Sequence, residues 1–457
     1  MKKLLALILT LACAALLTSC VIPGQGSTDG KTHVKFYHTM GANLRTVLDK
    51  YIAEFNKDNP NIAIDHEQVG DYDDVRDQIT TELQAGKQPA IAYCYPDHVA
   101  SYLRSKKVID LNTYINSEDP NIALSQAQVD DFIDGYYAEG TQFGDETKMY
   151  SLPFSKSTEV LYYNKTFFDA NKLSVPTTWD EMEALCKKIK EIDPNCVPLG
   201  YDSEANWFIT MTEQLGTDYT SATGDHYLWD TPENKAFVTR FAEWYTKGYL
   251  TTQELYGGYT SGLFVNQEKD ANGKIIRSYM SIGSSAGATH QAPDKNDAGE
   301  YPFETGIAPI PQIDPENNPK VISQGPSVCL FQQKDKNVEA AAWQFVKFLL
   351  TNSNFQAEFS MASGYVPVLE SVLDNPAYQT FLADANGYDD GIAALSAKVC
   401  MDQVDYYYTS PAFVGSSTAR DQVGQLLIAC LSEKGNIASK IDSLFAESVQ
   451  TCKTLNP

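Results

Sequence analysis

No two cysteines in this chain have C-x-x-C spacing, and its six histidines are scattered without ligand pairing. Zinc-ribbon and thioredoxin-type readings therefore have no support. Basic charge is scarce: 35 Lys and Arg stand against 59 Asp and Glu, a net charge of −24. Such a chain repels nucleic acid, and no basic patch offsets the repulsion. No apolar run after the N-terminus reaches spanning length, which takes about 20 residues. Internal repeats are absent, and low complexity is confined to one short stretch near the start.

Several catalytic patterns begin and fail. His66-Glu67-Gln68-Val69-Gly70 lacks the second histidine of a zinc-protease helix. Asp71, Asp73 and Glu82 have calcium-loop spacing, but Val75 and Arg76 stand where an oxygen ligand and a glycine are needed. Asp270-x-Asn272-Gly273 has no acidic residue to close a loop. No phosphate-cradling P-loop is found, and no hydrolase nucleophile elbow is expected. Acidic residues are so numerous that any two could be named a glycosidase pair, so that signal decides nothing.

What is present begins at the N-terminus. Lys2 and Lys3 precede an apolar run over 4–17, followed by Leu17-Thr18-Ser19-Cys20. This resembles a bacterial lipoprotein signal, cut before Cys20 so that its thiol carries lipid; an ordinary signal with an incidental cysteine is the alternative. Residues 21–31 read as a flexible tether rich in Gly and Ser. The expected division is signal peptide 1–19 and lipidated Cys20 with tether over 20–32. Two lobes follow: 33–155 plus 303–355, and 156–302 plus 356–457. A chain of 457 residues exceeds a single ordinary core. Beyond Cys13 and Cys20 seven cysteines remain, an odd number. Cys186 and Cys196 are placed for a local bridge, and small buried thiols account for most of the rest.

Along the mature chain, short strands alternate with helices. Extended residues 33–37 precede Leu44, Val47, Leu48, Tyr51, Ile52 and Phe55 at helical spacing, stopped by Asn59-Pro60. Ile62 and Ile64 mark a second strand, Val75, Ile79 and Leu83 a second helix ending near Gly86, and 89–95 a third strand. This order predicts an α/β fold with a parallel sheet. Thr178 and Glu181 have capping-box spacing. Asn272-Gly273 reads as a hairpin turn. Residues 337–350, 420–431 and 437–449 read as helices, the last two separated by Lys434-Gly435-Asn436. Trp179 and Trp343 read as core.

From Tyr150 onward the segments YSLPFSKSTEVLYYNKTFF, PTTWDEMEALCKKIK, YMSIGSS, GIAPIPQ, QGPSVCLF, AAWQFVKFLLT and GYVPV resemble, in that order, extracellular solute-binding protein family 1. These are the carbohydrate receptors of ABC importers. The resemblance implies a two-lobed periplasmic-binding-protein-like α/β fold with hinge-crossing segments and an interlobe cleft. It implies capture of a carbohydrate-class solute, sugar, oligosaccharide or sugar or polyol phosphate, by cleft closure and delivery to a permease. No cofactor, metal or catalysis is implied, and the chain is expected to be a monomer held outside the cell membrane. A secreted glycan-degrading enzyme is the alternative. Crossings are expected near 155–158, 299–305 and 351–360.

The likeness is to members binding glycerol 3-phosphate and related solutes. Their ligand positions fall on Tyr72, Asp97, Ser157, Trp207, Ser284 or Ser285, Gly325, Tyr365 and Arg420. Asp97 stands one place later than the pattern. An arginine fork suits phosphate or carboxylate. Other readings stay open: Tyr72 facing solvent, Asp97 an N-cap, Ser157 a hinge contact, Trp207 and Tyr365 core, Arg420 a structural ion pair. Trp229, exposed by pattern, is a further candidate. The connection around Asn272-Gly273 is longer than the family's usual one, which leaves the register near Ser284 open.

Overall fold

The computed structural model describes residues 29–144, 147–265, 276–433 and 437–456. Cys20, most of the tether, Asn272-Gly273 and Lys434-Gly435-Asn436 lie outside the described residues. The strands are β1 (Thr32–His38), β2 (Ile62–Gln68), β3 (Ile91–Cys94), β4 (Leu152–Pro153), β5 (Ser157–Asn164) and β6 (Leu199–Tyr201). They continue with β7 (Leu250–Thr252), β8 (Met280–Ser284), β9 (Thr305–Pro309), β10 (Val321–Gln324), β11 (Ser327–Leu330) and β12 (Tyr407–Tyr408).

Two sheets result. The first runs β2-β1-β3-β11-β4, the second β12-β10-β5-β8-β6-β7 with β9 also on β5. The expected parallel pairing holds for β1 with β2 and β3, and for β6 with β7 and β8. Antiparallel returns complete each sheet: β11 lies against β3, and β5 lies against β8, β9 and β10. Both sheets are therefore mixed.

Local chemistry explains the helices that frame the sheets. Helix Ala42–Asp58 buries Leu44, Leu48, Tyr51 and Phe55, and Asn59 ends it. Helix Tyr72–Ala85 starts at Asp71, whose carboxylate accepts from the amides of Asp73 and Asp74. It stops at Gly86, which takes the left-handed conformation that glycine reaches without strain (φ 67°). Helix Trp179–Ile192 has the predicted capping box, with the Glu181 amide donating to Thr178 Oγ1 at 3.2 Å. Trp179 and Trp343 are core; their indole N–H groups donate to Gln214 and to the Ile122 carbonyl.

The chain crosses between the sheets where β4 leads to β5, where β10 leads to β11, and again beyond helix Ser353–Met361. These segments touch. The Phe154 amide donates to the Pro326 carbonyl at 3.1 Å, and Lys156 and Val366 exchange backbone bonds of 3.1 and 2.7 Å. Gly325 permits this approach: its φ is +95°, and a Cβ there would fall 2.3 Å from the Ser155 carbonyl oxygen. The expected boundaries change accordingly. Residues 303–355 do not stay together, because β9 and β10 pair with β5 in the second sheet. The crossing expected near 299–305 lies at Gly325-Pro326. Helix Ser353–Met361 remains on the first lobe, where Lys50 Nζ sits 2.6 Å from Glu358 and Tyr51 packs edge-on against Phe355. The chain returns only before helix Ile392–Asp402, which lies on β5 and β9. Strand pairing joins residues far apart in sequence, and hydrophobic period does not encode it.

Cys94, Cys186, Cys196, Cys329, Cys400, Cys430 and Cys452 are all buried free thiols, so the local bridge between Cys186 and Cys196 does not form.

Candidate functional site

A cavity partly open to solvent lies between the sheets. Tyr95, Pro96 and Asp97 line it from the first lobe, at the start of helix Pro96–Leu103. Ile209, Tyr219, Ser416 and Arg420 line it from the second. Its floor is made by Lys156 and Gly325 of the crossings, by Ser323 and Gln324 at the end of β10, and by Glu139 of the 3-10 turn Glu139–Thr141, with Thr409 also in the lining.

The floor is a buried ion pair. Lys156 is 1% exposed and Glu139 2%, with Nζ and Oε2 2.6 Å apart. Ser323 Oγ and Thr409 Oγ1 donate to the other Glu139 oxygen at 3.1 and 3.0 Å. Lys156 also donates to the Gly325 carbonyl and faces the Tyr136 ring. A buried pair is tolerated when its remaining hydrogen-bond capacity is filled in this way. It places no unbalanced charge beneath the cavity.

Charge enters from the walls. Arg420, on helix Ser416–Ser432, donates to Asn206 Oδ1. Asn206 is held by helix Glu204–Gln214, capped by Ser203 in a left-handed conformation (φ 66°) rare for a non-glycine residue. Such strain collects at functional sites. Behind Asn206 lies Glu159, whose carboxyl is pushed up to about 8 by burial, although Tyr201 donates to it at 2.6 Å. Burial thus favours its uncharged form near neutral pH, and the carboxylates that face Arg420 are its helix neighbour Asp421 and Asp97 of the first lobe. Across the cavity, Asp97 Oδ1 accepts from the His98 amide at 3.1 Å while Oδ2 is buried without a partner among the described residues.

Of the expected ligand positions, Asp97, Gly325 and Arg420 line the cavity. Asp97 is not the helix cap; Tyr95 holds that place, with Pro96 after it. Tyr72 and Tyr365 share a bond between their hydroxyls at 3.1 Å, and Tyr72 packs on Tyr95 with ring centres 4.4 Å apart. They back the first-lobe wall, so Tyr72 does not simply face solvent. Ser157, Ser284 and Ser285 gather at the β5–β8 edge: the Ser284 hydroxyl lies 3.5 Å from that of Ser157, and Ser285 Oγ accepts from the Thr158 amide. Gly364 seats against them; a Cβ there would fall 1.8 Å from the Ser285 carbonyl oxygen.

Two expectations change. Trp207 is fully buried in the second-lobe core, stacked on Tyr201 at 4.5 Å and packed on Phe241, and does not line the cavity. Trp229 is fully buried rather than exposed, with Nε1 donating to Ser448 at 2.9 Å. One motif expected to be absent is present as a spacing: Gly283-Ser284-Ser285-Ala286-Gly287 is G-x-S-x-G. Ser285 is fully buried, and among the described residues no histidine is hydrogen-bonded to it, so a nucleophile's base is missing. Sequence reasoning missed Tyr95, Glu139, Lys156, Tyr219 and Thr409. Lys156 stood in the crossover run, but a lone lysine there carries no signal of its buried partner 17 positions away.

A family model described as bacterial extracellular solute-binding protein matches residues 50–385. The chain belongs to this family. It is 25% identical over 380 residues to the sn-glycerol-3-phosphate-binding periplasmic protein UgpB of Escherichia coli, covering 80% of this chain and 81% of that protein. The fold superposes with a TM-score of 0.73 on UgpB from Mycobacterium tuberculosis in complex with glycerophosphocholine, at 17% identity, covering 93% of this chain and 99% of the other. An ABC substrate-binding protein from Listeria monocytogenes in complex with cycloalternan gives the same TM-score, identity and coverage. The two-lobed α/β architecture is thus shared with solute-binding proteins. Among the described residues no helix is long and apolar enough to cross a membrane.

Proposed function

We propose that this protein captures a hydroxyl-rich, carbohydrate-class solute between its lobes and hands it to the permease of an ABC importer. The observation that carries this reading is the cavity itself. It opposes a first-lobe acid, Asp97, and a second-lobe base, Arg420, over a floor made where crossing segments meet. A solute touching both walls favours the closed arrangement by its differential contacts, and only by those. The solute leaves unchanged, and the chain works as a monomer anchored by lipid on Cys20.

Arg420 favours a phosphorylated or otherwise anionic member of that class. Its guanidinium has a fixed neutral partner in Asn206 and keeps donors for an anion. The resemblance to a glycerol-3-phosphate-binding relative supports the same reading. Tyr72 and Tyr365 position Tyr95 as an apolar wall, while Ser157 and Ser284 offer hydroxyls at the β5–β8 edge, where buried Ser285 holds the Thr158 amide.

A thermal-shift series with sn-glycerol 3-phosphate, glycerophosphocholine, maltose and ribitol tests the proposal on the lipid-free chain. A raised melting temperature without product formation is expected for at least one. Arg420→Ala abolishes the shift for phosphate esters and spares the neutral compounds; equal loss for both removes the anion preference. Turnover of a labelled oligosaccharide contradicts the receptor reading altogether.

A further inference from the structure

Tyr219 is a buried phenol with nothing to bond among the described residues. The residue is 2% exposed and lines the interlobe cavity, and no described residue is hydrogen-bonded to its hydroxyl. Its position is fixed from behind. The ring stacks on Trp229 at 5.7 Å, Trp229 is tied to Ser448, and the backbone closes with the Leu228 amide donating to the Tyr219 carbonyl at 3.1 Å. A short ladder between Thr220 and Tyr227 braces the same loop. The phenol therefore has little freedom to swing toward a partner elsewhere.

Across the same cavity Asp97 Oδ2 is also buried and has no partner among the described residues. One of these groups can donate; the other, a carboxylate oxygen, only accepts. A buried polar group left unpaired lowers stability, and one that a ligand completes discriminates strongly against ligands unable to do so. Two such groups of complementary type, one on each lobe, ask for a solute that presents both an acceptor oxygen and a hydroxyl donor.

Resting on the solute-receptor reading above, we propose that Tyr219 is a specificity-determining residue. Its hydroxyl donates to a solute oxygen while Asp97 accepts from a solute hydroxyl, so that neighbouring oxygens of a polyol or sugar bridge the lobes. Compounds lacking an oxygen at that position leave Tyr219 unpaired and are rejected. Arg420 selects charge; Tyr219 selects hydroxylation.

Tyr219→Phe isolates the one hydroxyl and keeps the stack on Trp229. The test measures ligand-free melting and calorimetric affinity for sn-glycerol 3-phosphate, glycerophosphocholine, maltose and ribitol. The variant should melt unliganded at or above wild type, because an unpaired buried hydroxyl has been removed. Its Kd for whichever probe wild type binds should rise about tenfold or more. An unchanged Kd overturns the proposal and leaves the receptor reading standing. A lower ligand-free melting temperature also overturns it, since the hydroxyl would then have an internal partner. If wild type binds none of the four, the carbohydrate-class reading fails and takes the proposal with it.

Discussion

Arg76 joins the two lobes through Ser417: its Nη1 donates to the Ser417 hydroxyl at 2.9 Å and lies 3.6 Å from Asp421 Oδ2. Arg76 belongs to helix Tyr72–Ala85 beside the first sheet, and Ser417 and Asp421 to helix Ser416–Ser432 beside the second. On its own helix Arg76 is held by Asp73 and Asp77 at 2.9 and 2.8 Å, which aim it across the cleft. The contact exists only while the lobes are together. Arg76→Ala is expected to weaken solute binding by about 1 kcal/mol, roughly fivefold, at low salt. Its ligand-free melting temperature should barely move. Calorimetry at two salt concentrations checks both; a large fall in melting temperature would place the contact in folding rather than closure.

Glu159 makes stability depend on pH. Burial raises its folded-state value to about 8, against an ordinary 4.5. The folded chain therefore keeps a proton that the unfolded chain releases above about pH 4.5. Stability from this group falls as pH rises from there towards 8, then levels. Glu159→Gln keeps an acceptor for Tyr201 and removes the titration. Its melting temperature should decline less than that of wild type between pH 5 and 8, as read by calorimetry across that range. Parallel curves would show that Glu159 is ionised in the fold.

The Lys156–Glu139 pair predicts a large loss on half-removal. Lys156→Met leaves the Glu139 carboxylate buried with only the hydroxyls of Ser323 and Thr409. The expected cost is about 3 kcal/mol or more, seen as a lower denaturation midpoint in urea. A loss of unfolding free energy under about 0.5 kcal/mol would mean that water reaches the pair.

Gly364 should tolerate no side chain. A Cβ would meet the Ser285 carbonyl oxygen at 1.8 Å, on backbone rather than on a yielding side chain. Gly364→Ala must push the segment leading to Val366 away from the β5–β8 edge and displace Tyr365 from Tyr72. We expect at least about 2 kcal/mol of destabilisation, or loss of solute binding where the fold survives. Gly224→Ala meets nothing within 4 Å and serves as the control, its positive φ adding only local strain.

The first lobe was largely legible in sequence because its signals are local. Leu44, Leu48, Tyr51 and Phe55 repeat at helical spacing and lie buried on one helix face. Gly86 stops the next helix because the chain there must turn left-handed. In the second lobe, the capping box of Thr178 and Glu181 is legible for the same reason, needing residues only three apart. The candidate site was legible in part: Asp97, Gly325 and Arg420 line the cavity, whereas Trp207 turned inward onto Tyr201. Nothing within a few residues of Trp207 or Trp229 tells which neighbour will cover an indole.

By itself the sequence determined the alternation of strands and helices, the helix caps and the acidic balance, because hydrophobic period, capping hydroxyls and charge act over a few residues. Only the tertiary structure decided that β9 and β10 join the second sheet, that Gly325 lies against Lys156, and that Asp97, Tyr219 and Arg420 face one cavity. Those are pairings between distant segments. They are set by which surfaces exclude water together and which buried polar groups find partners, and no local pattern carries that information.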